Sequence, residues 1–174
     1  MTHTTDNQGV ETLRWREGKL EMIDQRILPM RFEYLSYTTA EQVAEGIRSM
    51  VVRGAPAIGC AAAYGVALQA LAHQHKEKTV FDAAMQSGYE VLAASRPTAV
   101  NLFWALQRMK QFQNAQSGLS PMELAAALLA LAHEISAEDV RINRAMGAYG
   151  AALLHDGARV LTHCNAGALA TAGH

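Results

Sequence analysis

The chain of 174 residues is long enough to bury a core and has the size of one domain, or of one domain with a small appendage. Lys+Arg 15 against Asp+Glu 16 leave a net charge of −1 with no run of either sign, which argues against a general nucleic-acid surface or a polybasic membrane patch. Two cysteines, Cys60 and Cys164, are too few for a disulfide framework, and no Cys/His cluster has zinc-site spacing, so no metal is expected.

The front of the chain reads as strands. Glu11 and Arg14 stand where a signal peptide needs an apolar run, and the expectation is a cytoplasmic protein with reduced thiols. Leu13 and Trp15 alternate with Arg14 and Arg16, Glu17-Gly18 can turn, and Leu20 and Met22 alternate on the return. Arg31 to Tyr37 offers a further short strand. A small antiparallel sheet is expected over 1–38.

No alanine precedes Ala40, and from there the chain reads as helices, over 39–156. Thr39-Ala40-Glu41-Gln42 has capping-box spacing, as does Ser120-Pro121-Met122-Glu123, with proline at the first helical position. Ala55 to Ala72 carries no charge and is expected to be a helix buried on all sides rather than a membrane span. Leu124, Leu128, Leu131 and Ile135 form one apolar stripe and Ile142, Met146, Tyr149 and Leu153 another, both read as facing the core. His73 and His75 lie near a helix end, and His133 and His155 have no ligand partner one turn on. No catalytic role is expected for any of the four.

Asp156-Gly157 is read as the end of the last long helix. Ala158 to His163 then reads as a short buried strand, followed by Cys164-Asn165-Ala166-Gly167 and small residues able to open another helix. Strand, small-residue loop and helix are how a parallel α/β sheet begins, with its ligand edge at the strand's C-terminal end. The expected fold is therefore an α+β N-terminal domain, a small antiparallel sheet plus a helical bundle, followed over 157–174 by the first strand of a truncated Rossmann-like domain.

Arg53-Gly54-Ala55-Pro56 joins an arginine to a glycine turn and a proline placed where a helix begins. Gly54 can adopt backbone angles closed to other residues. Pro56 suits a first helical turn because the N–H it lacks has no partner there. The remaining free amides, the helix dipole and the Arg53 charge make an anion site, although spacing alone favours an ordinary loop-to-helix junction. Arg96 precedes Pro97-Thr98, where Thr98 is read as a possible cap of the next helix. A surface ion pair is the plain alternative for Arg96. Cys164 faces a nascent helix start, where a thiol pKa tends to fall, while Cys60 lies in the apolar helix. Any free cysteine considered alone is most simply a small core hydrophobe.

The wording of these segments goes further. Val52-Arg53-Gly54-Ala55-Pro56-Ala57-Ile58-Gly59 resembles the signature of the methylthioribose-1-phosphate isomerases of methionine salvage, relatives of the regulatory subunits of translation initiation factor 2B. Asp24-Gln25 with Leu28-Pro29, Ser95-Arg96-Pro97-Thr98-Ala99-Val100-Asn101-Leu102, and Thr162-His163-Cys164-Asn165-Ala166-Gly167 resemble the same family in the same order. The four matches cover nearly all of this chain but only the front half of the family's length.

The resemblance implies an aldose–ketose isomerase acting on 5-methylthioribose 1-phosphate, with no metal or organic cofactor, and homodimeric when full length. It makes Cys164 the active-site cysteine, Arg53, Gly54 and Ala55 the substrate-binding loop, and Arg96 a second basic contact. It assigns the acid to an aspartate of a second domain that this sequence does not contain, so the 174 residues alone are expected to be inactive. Two alternatives stay open. One is a non-catalytic regulatory or scaffold relative, which predicts erosion of the arginine loop and the cysteine, both intact here. The other is an isomerase for another pentose or deoxypentose phosphate.

Overall fold

Alternation along the first strands becomes a hairpin. In the computed structural model, which describes residues 10–174, β1 (Leu13–Arg16) and β2 (Lys19–Ile23) pair antiparallel, Leu13 opposite Met22 and Trp15 opposite Leu20. Residues 1–9, the front of the expected strand region 1–38, lie outside the described residues. Glu17 and Gly18 both have positive φ, 49° and 75°, the backbone twist that a two-residue hairpin requires. Leu13, Leu20 and Met22 enter the core; on the opposite face Arg14 Nε donates to Glu21 Oε2 directly across the pair at 2.7 Å. β3 (Tyr34–Tyr37) adds to β2, giving the order β1-β2-β3. It starts three residues later than the expected Arg31.

Helix α1 (Ala40–Arg48) starts at Thr39, whose Oγ1 accepts the Gln42 N–H at 3.2 Å. Gln42 Oε1 accepts from the Thr38 N–H at 2.7 Å, one residue earlier than a strict capping box. Helix α2 (Ala55–His73) is the axis of the domain, buried without a break from Ala57 to Ala70. Its length and composition would also let it cross a membrane, but here most of it is enclosed by protein. Helices α3 (Lys78–Ala93), α4 (Val100–Ala115) and α5 (Pro121–Ala151) pack around it together with α1. The alanine and glycine surface of α2 lets neighbours come close. A Cβ on Gly59 would lie 3.0 Å from the Asn101 carbonyl oxygen, so α2 and α4 touch at their first turns. The loops leading into these two helices, which carry Arg53 and Arg96, therefore share one end of the bundle.

Ser120 and Glu123 form the full capping box that opens α5. Leu124, Leu128, Leu131 and Ile135 are buried as expected. The second stripe is not: Ile142, Met146, Tyr149 and Leu153 are 57, 61, 79 and 86% exposed. The reason is length. At ~1.5 Å per residue the 31 residues of α5 outrun the 19 of α2, and the last turns project past the bundle. The helix also stops at Ala151, before the expected Asp156-Gly157.

The expected strand at Ala158 to His163 is absent. These residues join no sheet among the described residues, and Leu161 is 97% exposed. A strand is held by ladder hydrogen bonds to a neighbour, and no described segment supplies them here.

Asp24 illustrates how the loop after β2 is held. Its carboxylate, nearly buried, accepts Arg26 Nε at 2.8 Å, Arg26 Nη2 at 2.7 Å and the Arg26 N–H at 3.0 Å. The hydrogen bonds from the Arg26 side chain hold this carboxyl below its ordinary value of 3.8 against the opposing effect of burial. A depressed folded pKa means that the unfolded chain takes up this proton first. The stabilisation is complete above the ordinary aspartate range and is lost as pH falls through the folded value. Comparing denaturant midpoints of wild type and Asp24→Asn from neutral pH down to about pH 2.5 should therefore show a gap that closes in acid. A gap independent of pH would assign the effect to shape rather than charge.

Candidate active site

The arginine loop forms as its residues dictate. Gly54 caps α2 with φ 86° and ψ 134°, and proline occupies the first turn. Gly54 does not face open solvent. A Cβ there would lie 2.4 Å from both Cα and the carbonyl oxygen of Ala170, so the chain 116 residues later is seated directly on the loop. Arg53 is exposed and Arg96 half-buried, and neither guanidinium has a carboxylate partner among the described residues. Thr98 does not cap the following helix: α4 begins after Ala99, without a side-chain cap, and the loop is closed by the Ala99 N–H on the Arg96 carbonyl at 3.0 Å.

Cys164 is exposed and has a left-handed backbone, φ 64°. The helix expected after it is reduced to a single 3-10 turn, Ala168–Ala170. The neighbouring Asn165 has its Nδ2 buried without a hydrogen-bond partner among the described residues. Cys60 is a core residue of α2, and burial pushes its thiol up to about 12. The two cysteines thus occupy opposite environments: Cys60 is in the core, as expected, whereas Cys164 has neither the strand before it nor the helix after it that its expected setting required.

Three polar side chains hold the segment after Cys164. The wholly buried Thr12 donates its hydroxyl to the Ala168 carbonyl, Gln25 Nε2 donates to the Leu169 carbonyl at 2.8 Å, and Asp139 Oδ2 on α5 accepts the Ala172 N–H at 2.7 Å. Asn143, one turn along α5, steadies Asp139 by donating to its Oδ1 at 3.0 Å. Sequence reasoning missed all three in this role. Gln25 stood inside a quoted motif without a function, whereas nothing local distinguishes Thr12 or Asp139.

A cavity of about 260 Å³ opens beside this arrangement, lined by Pro56, Cys60, Asn101, Trp104, Ile135 and Asp139 among others. It lies where the first turns of α2 and α4 meet the middle of α5, and none of Arg53, Arg96 and Cys164 lines it. Among the histidines, His133 accepts or donates at Nδ1 to the Tyr64 hydroxyl at 2.9 Å, beside the stacked rings of Trp15 and Tyr64. His155 is exposed. No group of three metal-ligating side chains occurs among the described residues.

The chain resembles known proteins along almost its whole length. It is 70% identical over 165 residues to a methylthioribose-1-phosphate isomerase of Albidiferax ferrireducens, covering 95% of this chain and 47% of that protein. It is 52% identical to the protein of the same name from Syntrophotalea carbinolica, again over 95% of this chain and 48% of the relative. The chain thus spans about half the length of the curated relatives it matches. The crystal structure of 5-methylthioribose 1-phosphate isomerase from Pyrococcus horikoshii superposes with a TM-score of 0.88 at 44% identity, covering 93% of this chain and 45% of that one. That of translation initiation factor eIF-2B subunit delta from A. fulgidus superposes at 0.84 and 40% identity, over 94% and 47%. The model of the initiation factor 2 subunit family matches residues 51–172, from the α1–α2 loop carrying Arg53 to the segment seated on it, and the chain belongs to that family.

Proposed function

We propose that the protein containing this chain is an aldose–ketose isomerase that converts 5-methylthioribose 1-phosphate to 5-methylthioribulose 1-phosphate in methionine salvage, in the cytoplasm and as a homodimer. The observation that carries this reading is the 70% identity, over 95% of the chain, to a protein named for that activity. The seating of Ala170 on Gly54 supports it, because it puts the cysteine-bearing segment and the phosphate loop in one region.

The substrate sets the chemistry. Its anomeric carbon carries phosphate, so the ring cannot open through a free hemiacetal hydroxyl. The C1–ring-oxygen bond breaks as a proton reaches that oxygen, hydrogen passes from C2 to C1, and the C2 hydroxyl gives up its proton to become the ketone. Phosphate stays on C1 throughout. Arg53 and the Gly54–Ala55 amides, with Arg96 from the adjacent loop, suit the phosphate, since a guanidinium fork matches its oxygens. Cys164 serves the reacting carbons. The acid is an aspartate of a second domain, and in a longer chain residues 158–163 gain the neighbours that make them a parallel strand.

Removing either arginine should weaken binding. Loss of a charge-assisted contact costs roughly 1.5–3 kcal/mol, about ten- to a hundredfold in affinity. Calorimetry of Arg53→Ala and Arg96→Ala in the whole protein, titrated with substrate, reads this directly; unchanged affinity in both removes the assignment. The decisive assay is formation of methylthioribulose 1-phosphate by the whole protein. The 174 residues alone should show none, because the acid is missing and Cys164 is unsupported on its solvent side.

A further inference from the structure

We propose that Thr12, Gln25 and Asp139 are positioning residues that hold the segment following Cys164 against the arginine loop, and that the N-terminal sheet exists at this site to provide two of the three holds. The inference rests on the isomerase reading for its catalytic consequence, but not for the hold itself.

Residues 168–172 have almost no regular structure of their own. A single 3-10 turn closes with the Ala170 N–H on the Gly167 carbonyl at 2.9 Å. Three backbone polar groups of this stretch are instead satisfied by side chains from two other parts of the fold. The Ala168 and Leu169 carbonyls go to Thr12 and Gln25, and the Ala172 N–H goes to Asp139. All of these contacts span a long sequence separation. Thr12 is wholly buried and Gln25 nearly so, so leaving their partners unmet would carry a full desolvation penalty.

Gln25 links both halves of the site. Its own N–H donates to the Val51 carbonyl at 3.0 Å, two residues before Arg53, while its side chain reaches Leu169. Thr12 is tied into the same sheet through its carbonyl, which accepts the Ile23 N–H at 3.0 Å. The Asp24-Gln25 pair therefore has a division of labour: Asp24 locks the local loop on Arg26, and Gln25 spans from the arginine loop to the cysteine segment. A change of the Gln25 side chain leaves its backbone bond to Val51 in place. Phosphate binding by Arg53 should then survive while the placement of Cys164 does not.

The test uses the whole protein. Thr12→Val, Gln25→Met and Asp139→Ala each remove one hold, whereas Thr12→Ser and Asp139→Asn keep the donor or acceptor. Two readouts are taken, steady-state kinetics and amide hydrogen exchange of the peptide covering 165–174. Misplacing a reacting group by about 1 Å can cost about a hundredfold. We expect kcat to fall roughly ten- to a hundredfold with KM nearly unchanged, faster exchange in 165–174, unchanged exchange in α2, and recovery in the conservative variants. Unchanged exchange in all three removal variants overturns the hold. Faster exchange with unchanged kcat overturns the positioning role. No turnover in the wild type, with exchange still accelerated in the variants, would fail the isomerase reading and leave the hold standing. If Thr12→Val unfolds because its hydroxyl is so deeply buried, Asp139→Ala on the half-buried face of α5 decides alone.

Discussion

Cys164→Ala in the whole protein should fold, bind substrate and lose turnover by about 10²–10⁴-fold, the range for removing a positioned group that handles protons in the transition state. Cys60→Ala should leave turnover intact. The contrast follows from their surroundings: Cys164 lies exposed on a left-handed turn, six residues before the Ala170 seated on the arginine loop, whereas Cys60 is enclosed in the axial helix with its thiol pushed up to about 12 by burial. Its removal deletes one small buried side chain, which costs about 1 kcal/mol or somewhat more in packing. Steady-state kinetics and denaturant melts on both variants separate the two roles. Equal losses of kcat in the two proteins would show that the exposed cysteine has no special part in the reaction.

The second large effect is expected at Gly54→Ala. A non-glycine residue at φ 86° and ψ 134° is strained by about 1–3 kcal/mol, and here the added methyl also meets the Ala170 backbone at 2.4 Å. Backbone cannot swing aside as a flexible side chain can, so either the arginine loop or residues 168–172 must move. Gly18→Ala is the control: it has a comparable φ of 75° but no atom within 4 Å of the new Cβ. Thermal melts should show Gly54→Ala less stable than Gly18→Ala, and only Gly54→Ala should lose activity. Equal behaviour of the two variants would mean that Ala170 is not seated on Gly54.

The elements governed by local chemistry were legible in the sequence. The Glu17-Gly18 hairpin, the caps at Thr39 and Ser120 and the proline-led start of α2 each depend on residues within a few positions of one another. The candidate residues were legible too, because Arg53, Arg96 and Cys164 stand in motifs with recognisable wording.

Where the reading missed, the deciding contact lay far away in the chain or was lacking. The stripe from Ile142 to Leu153 has the periodicity of a core face, but periodicity shows only that a helix has an apolar side. Whether another element reaches that side depends on the relative lengths of α5 and α2. In the same way, Ala158 to His163 has the composition of a buried strand, yet a strand is made by its neighbours and among the described residues none pairs with it. Cys164 and Arg53 are 111 positions apart, and no pattern in the sequence says that their segments meet. Tertiary structure decided that, by placing a buried threonine, a glutamine and an α5 aspartate where three backbone groups after the cysteine need partners, with Gly54 leaving the space for Ala170.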